Sequence, residues 1–172
     1  MTASLLSIEN LSIGFSGLKD QPIFIVRDVN LTLAAGETLG LVGESGCGKS
    51  SLLLAMMGYY KQGLGRLRGS IAYDGQDPGL VSSQQLQALR GGGMALIPQN
   101  AGQALTPTLR IKAQMVEVLR LHSDLAPGAW HARCLGLFER VKLPDPEQIL
   151  ERYPHELSGG QQQRVAIAMA LA

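Results

Sequence analysis

The chain is expected to be an α/β protein with a mostly parallel sheet and an inserted helical region, and three observations carry that expectation. Short apolar runs alternate with helical patterns up to about residue 99. A glycine-rich turn joins one of those runs directly to a helix. Beyond residue 99 the pattern turns helical.

Each element follows from its residues. Leu6, Ile8, Leu11 and Ile13 read as an opening strand with one slip in the alternation. Val29, Leu31 and Leu33 alternate with Asn30 and Thr32, the pattern of a strand with one wet face. A turn at Ala35-Gly36-Glu37 leads into residues 38–42, nearly all apolar, as expected of a strand covered on both faces. The leucines and methionines of residues 49–60 favour helix. Residues 70–73 form a short strand ended by Asp74-Gly75, a good turn pair. Residues 82–90 read as helix, stopped by Gly91-Gly92-Gly93, and residues 94–98 as a further buried strand. Helices follow over 111–122 and 128–141, and Trp130, Cys134, Leu137, Phe138 and Val141 share one face at helical spacing, as core. Residues 144–146 and 153–154 punctuate a loop, and a last helix starts at Ser158.

Composition narrows the class. The 172 residues are 45% apolar and 17% charged, which suits a globular domain with a real core. A net charge of +1 gives no broad electrostatic reason to bind nucleic acid or anionic lipid. The 21 glycines cluster at 43–48, 91–93 and 159–160, so they mark particular loops. The two cysteines, Cys47 and Cys134, have no metal-ligand spacing and do not make a disulfide scaffold, which points to a reduced, cytosolic setting. The first ten residues lack the marks of a signal peptide, and the longest apolar run, residues 165–172, is far short of the ~20 that span a membrane. Any membrane role is therefore expected to run through a partner. His122, His131 and His155 show no ligand spacing and read as surface or loop residues.

Gly43-Glu44-Ser45-Gly46-Cys47-Gly48-Lys49-Ser50 matches G-x-x-x-x-G-K-[ST] between a strand and a helix. Glycines let backbone N–H groups curl inward toward phosphate oxygens, and the following helix adds its unpaired amides and positive dipole end. Lys49 would carry a cation to the β and γ phosphates, the Ser50 hydroxyl would complete a Mg²⁺ shell, and Ser51 belongs to the same nucleotide-binding stretch. An accidental match is the bland alternative, and with average residue usage it arises in roughly one chain in a hundred or fewer. A phosphate loop does not choose among kinases, GTPases and transport ATPases.

Leu157-Ser158-Gly159-Gly160-Gln161 makes that choice. With the flanking Tyr153-Pro154-His155-Glu156 and Gln162-Gln163-Arg164, it resembles the signature of the ATP-binding subunits of ABC transporters, most like the importers of oligopeptides, dipeptides and nickel. The resemblance runs from about Leu5 to Ala172. Physically, Ser158 and Gln161 have capping-box spacing, so a well-made helix start is the plain reading. Yet two adjacent glycines at the first helical positions cost helix stability and leave N–H groups uncovered at an anion-attracting end.

The resemblance implies a P-loop NTPase fold of ABC type with an N-terminal antiparallel β subdomain. Residues 1–98 would be the nucleotide-binding core, 99–156 the helical subdomain, and 157–172 the signature helix. It implies ATP and Mg²⁺ as ligands, held by Gly43 to Ser51 of one cassette and by Ser158, Gly159, Gly160 and Gln161 of a second, head-to-tail cassette, identical or paralogous. Gln99 corresponds to the Q-loop glutamine that touches Mg²⁺ and the attacking water and reports to the membrane subunit. Phe15 corresponds to the aromatic that stacks on adenine, with Phe24 as the competing candidate. The protein would then lie beneath a membrane permease at the cytoplasmic face, meeting it through residues 100–152 and serving a solute-binding protein indirectly.

The family's Walker B aspartate, catalytic glutamate and switch histidine have no counterpart here, because the sequence stops at Met169-Ala170-Leu171-Ala172. The core is therefore expected to be incomplete at that end, with an exposed sheet edge and exposed apolar positions over 165–171. The 172-residue chain is expected to aggregate and to show no ATP turnover above a Lys49→Ala control in a phosphate-release assay. Two other readings stand beside transport. One is a soluble ABC-class ATPase of DNA repair, chromosome structure or translation, although such proteins usually carry coiled coils, zinc modules or a second cassette. The other is a non-enzymatic remnant that at most binds nucleotide.

Overall fold

The computed structural model describes residues 4–17 and 22–172. The chain divides into two compact units, Met1–Leu89 and Arg90–Ala172.

The first unit is a three-stranded antiparallel sheet in the order β2-β1-β3, with one helix against it. Strands β1 (Ser4–Phe15) and β2 (Ile23–Ala34) are long, and β3 (Gly65–Tyr73) starts five residues before the reading from sequence. The slip in the β1 pattern has a structural cause. Asn10 adopts φ 48 and the register shifts between Ile8 and Leu11, so an extra residue is absorbed and both side chains face inward. The buried Ser12 hydroxyl steadies the irregularity, accepting from the Asp28 amide at 3.0 Å and donating to the Asp28 carboxylate at 3.2 Å. Val29, Leu31 and Leu33 are half-buried while Asn30 and Thr32 are exposed, as the alternation requires. After β3, Asp74 at φ 46 and Gly75 at φ 74 make a tight turn, and Tyr73 and Gln76 exchange amide hydrogen bonds across it.

Helix α1 (Lys49–Met56) drives Leu52 and Ala55 into the core formed by Leu6, Ile8, Leu11, Ile13, Val26 and Ile71. It ends four residues before the expected limit, because Met57 closes the last turn and Gly58 takes φ 66. Helix α2 (Ser83–Gly92) is capped by Ser82 and Gln85 and loses helical geometry at Arg90 and Gly91.

Two expected strands, and with them the expected mostly parallel sheet, are not formed among the described residues. Residues 38–42 and 94–98 find no ladder partner among the described residues beyond an isolated bridge between Arg90 and Met94. Leu39, Leu41, Val42, Leu96 and Ile97 are exposed. Apolar composition marks these stretches as sheet material, but a strand exists only where a neighbour supplies hydrogen bonds.

The second unit is helical: α3 (Ile111–His122), α4 (Trp130–Arg140), α5 (Pro146–Glu151) and α6 (Gly159–Ala170), with short 3₁₀ turns between them. The α4 stripe is core as expected, with Cys134, Leu137 and Phe138 buried and Trp130 and Val141 packed at its margin. Ile111, Met115 and Leu119 of α3, Ile149 and Leu150 of α5, and Val165 and Ala168 of α6 complete it. The prolines at 144 and 146 suggest a loop, but Pro146 occupies the first turn of α5, where a missing N–H costs nothing. The expectation that 165–171 would be exposed is also corrected: Val165 and Ala168 are fully buried against α3 to α5, and only Leu171 is open.

Buried Gln114 is fully used, accepting from the Thr106 amide and donating to the carbonyls of Thr106 and Leu109. On the surface, Arg110 and Lys112 both reach Glu151, and Lys112 first, then Arg110, hold that carboxyl below its ordinary range. His131 meets Glu147 at 3.2 Å and His155 stacks on Tyr153, both exposed as expected, while His122 is half-buried. Among the described residues, no helix is long and apolar enough to cross a membrane.

Candidate nucleotide site

The phosphate-loop motif lies on a built loop in the first unit. Gly48 is the residue on which its shape depends, with φ at +96 and the position of an added Cβ 2.9 Å from both the Ile25 carbonyl oxygen and the Val26 side chain. Any larger residue would be strained by its backbone and pushed off β2. From Gly48 the chain enters α1 with no side-chain cap on the first-turn amides. An uncapped helix start carries free N–H donors and a partial positive charge, the arrangement that holds an anion.

Lys49 folds its side chain back over the loop. Its Nζ donates to the carbonyls of Gly43 and Glu44 at 2.6 Å each and lies 3.5 Å from Cys47 Sγ. The ammonium is therefore at the loop mouth, beside exposed Gly43, Glu44, Ser45, Gly46 and Cys47. Ser50 is exposed and Ser51 half-buried in the same first turn. These groups fit a nucleoside triphosphate: amides and one cation for the phosphates, and the Ser50 hydroxyl for a Mg²⁺ that takes its remaining ligands from phosphate and water. No cluster of three or more His, Cys, Asp or Glu residues suited to a metal occurs among the described residues.

Phe15 ends β1 opposite Ile23, a residue 39% exposed whose ring edge lies against Gly63. Phe24 is half-buried, and the Arg27 guanidinium stands 4.7 Å over its ring. Phe24 thus has a cation on one face, whereas Phe15 offers the barer surface.

Cys47 is exposed in the loop, whereas Cys134 is buried and its thiol is pushed up by burial. One thiol is therefore expected to react rapidly with a maleimide in the folded protein and the second only after denaturation, as read by intact mass. Complete modification of Cys47 is expected to block nucleotide entry, and unchanged ATP binding after it would exclude that role.

The second unit carries the other candidates. Ser158 caps α6: its hydroxyl accepts from the Gln161 amide at 3.3 Å, and Gln161 Oε1 accepts from the Ser158 amide at 2.9 Å. Gly159 and Gly160 are exposed, with open space where a side chain would stand, so their backbone faces solvent at the positive end of a well-capped helix. Gln99 is exposed just before the 3₁₀ turn Ala101–Gln103, on an irregular segment rather than at the end of a strand. Two residues with no role in the sequence expectations adjoin these groups: Gln162, the middle of three consecutive glutamines, and Gly102.

The sequence model of the ABC transporter family matches residues 26–172. A protein of Brucella melitensis named as a peptide import ATP-binding protein is 44% identical over 171 residues, covering 99% of this chain and 51% of that protein. The oligopeptide transport ATP-binding protein OppD of Escherichia coli is 38% identical over 168 residues, covering 98% of this chain and 49% of its own length. The chain thus spans about half the length of the curated relatives it matches. Among solved structures, the cassette MJ0796, in a dimeric post-hydrolysis state bound to ADP and Pi, superposes with a TM-score of 0.81 at 25% identity, covering 96% of this chain and 68% of that one. The α/β fold, with its antiparallel β part and its helical part, is therefore that of an ABC cassette. On the family match, the relatives and the superposition together, the chain belongs to the ABC transporter family.

Proposed function

We propose that this chain is the ATP-binding, energy-coupling part of a peptide importer. The observation that carries the reading is the coexistence of two helix starts of different construction, each suited to receive an anion. One is the uncapped, lysine-bearing start of α1, and the other the capped, glycine-faced start of α6. In this reading Gly43 to Ser51 hold ATP and Mg²⁺, Phe15 stacks on the base, and Ser158 to Gln161 close over the γ-phosphate of a second cassette's nucleotide. Gln99 faces Mg²⁺ and water. Residues 1–98 serve as nucleotide core, 99–156 as the permease-facing helical part, and 157–172 as the signature. Peptides are favoured over nickel by the names of the relatives. The site of action would be the cytoplasmic face of a membrane, reached through permease subunits.

The test is Gly160→Asp in the full-length protein. A side chain at Gly160 meets nothing, and an acid in the first turn of α6 suits the helix dipole, so the fold is expected to be kept. The carboxylate would stand where the partner's phosphate must come. ATP-driven dimerisation, measured by light scattering, is expected to vanish while ATP binding at the Lys49 loop persists. Dimerisation at wild-type ATP concentrations would refute the role given to the signature.

A further inference from the structure

We infer that Gln162 and Gly102 form a lock that holds the segment after Gln99 against the signature helix, making Gln162 a positioning residue for both. Gln162 follows the signature on α6 and is half-buried. Its Nε2 donates to the carbonyl of Pro154 at 2.8 Å and to that of Leu157 at 3.2 Å. One amide group thus ties the first turns of α6 to the loop that delivers Ser158. The same side chain turns its Oε1 toward Gly102, where an added Cβ would lie 2.5 Å away. Gly102 belongs to the turn Ala101–Gln103, three residues after Gln99, and the neighbouring Ala101 is buried.

Gly102 is not among the residues with positive φ, so its backbone conformation does not call for glycine. What excludes a side chain there is the Gln162 oxygen. A flexible side chain could normally move aside cheaply. Here it is pinned by two hydrogen bonds, so making room for a methyl group at residue 102 means breaking them. The two positions are therefore one interaction seen from two sides, and a displacement of Gln99's segment is transmitted to the loop before Ser158.

The lock can be tested without nucleotide by a double-mutant cycle on thermal unfolding of the full-length protein. Gly102→Ala and Gln162→Ala are each expected to lower the midpoint by a similar shift, on the order of 5 °C. The double variant is expected to fall no further than either single one. Additive shifts would overturn the lock.

Its functional consequence rests on the proposed roles of Gln99 and Ser158 to Gln161. All three variants are expected to need about tenfold more ATP-Mg for half-maximal dimerisation, with nucleotide affinity at the Lys49 loop unchanged, a split that mere loss of stability would not produce. Equal losses in affinity and dimerisation would overturn the positioning role. A wild-type protein that binds ATP-Mg without dimerising would instead refute the reading of the signature, while the thermal cycle still decides the lock.

Discussion

Replacing Lys49 by alanine is expected to weaken ATP-Mg binding about 10- to 100-fold with little change in thermal stability. The magnitude follows from the interaction lost. A hydrogen bond to a charged group contributes about 1.5–3 kcal/mol, and every 1.4 kcal/mol is a factor of ten in affinity. The stability expectation follows from position, because Lys49 bonds to two carbonyls and the Cys47 sulfur of its own exposed loop and is not part of the core cluster. Lys49→Arg separates charge from shape, since it keeps the cation but replaces a compact ammonium by a planar fork. Arginine is expected to restore part of the affinity. Wild-type affinity in Lys49→Ala, read by titration with a fluorescent ATP analogue, would remove this lysine from the nucleotide site.

That loop was legible in the sequence because its chemistry is local: glycines, a lysine and a serine at fixed spacing before a helix. The capping box at Ser158 and the turn at Asp74-Gly75 were legible for the same reason. Non-local determinants were not. Residues 38–42 and 94–98 have the composition of buried strands, yet their exposure and missing ladders depend on neighbours that composition cannot show. The slip between Ile8 and Leu11 could be noticed, but its meaning required the paired Asp28 and Ser12. Gln162 could be placed beside the signature, but nothing local marked it as a contact for Gly102, which lies far away along the chain. What distinguishes Phe15 from Phe24 is likewise a contact that composition does not show, the guanidinium of Arg27 over the Phe24 ring.

The other large effect is expected in the helical unit, where Phe138→Ala should destabilise by about 3–5 kcal/mol. Phe138 is fully buried and belongs to one core with Ile111, Met115, Leu119, Ile149 and Val165, residues from every long helix of that unit. Its removal leaves a cavity that several helices would have to collapse around at once. Domain stabilities run to about 5–15 kcal/mol, so the loss is a large share of what holds the unit together. Trp130, only partly buried at the margin of the same stripe, should cost less, and Ser158→Ala, which removes a cap, about 1 kcal/mol. The ordering matters for function. A substitution at Ser158 or Gly160 leaves the helical unit folded, so any loss of dimerisation there reports on the signature itself. A loss seen in Phe138→Ala would report only on the core beneath it. Chemical denaturation of the three variants, read as midpoint shifts at constant slope, should give Phe138→Ala the largest shift. A Phe138→Ala shift no larger than that of Ser158→Ala would mean that α4 does not anchor this unit.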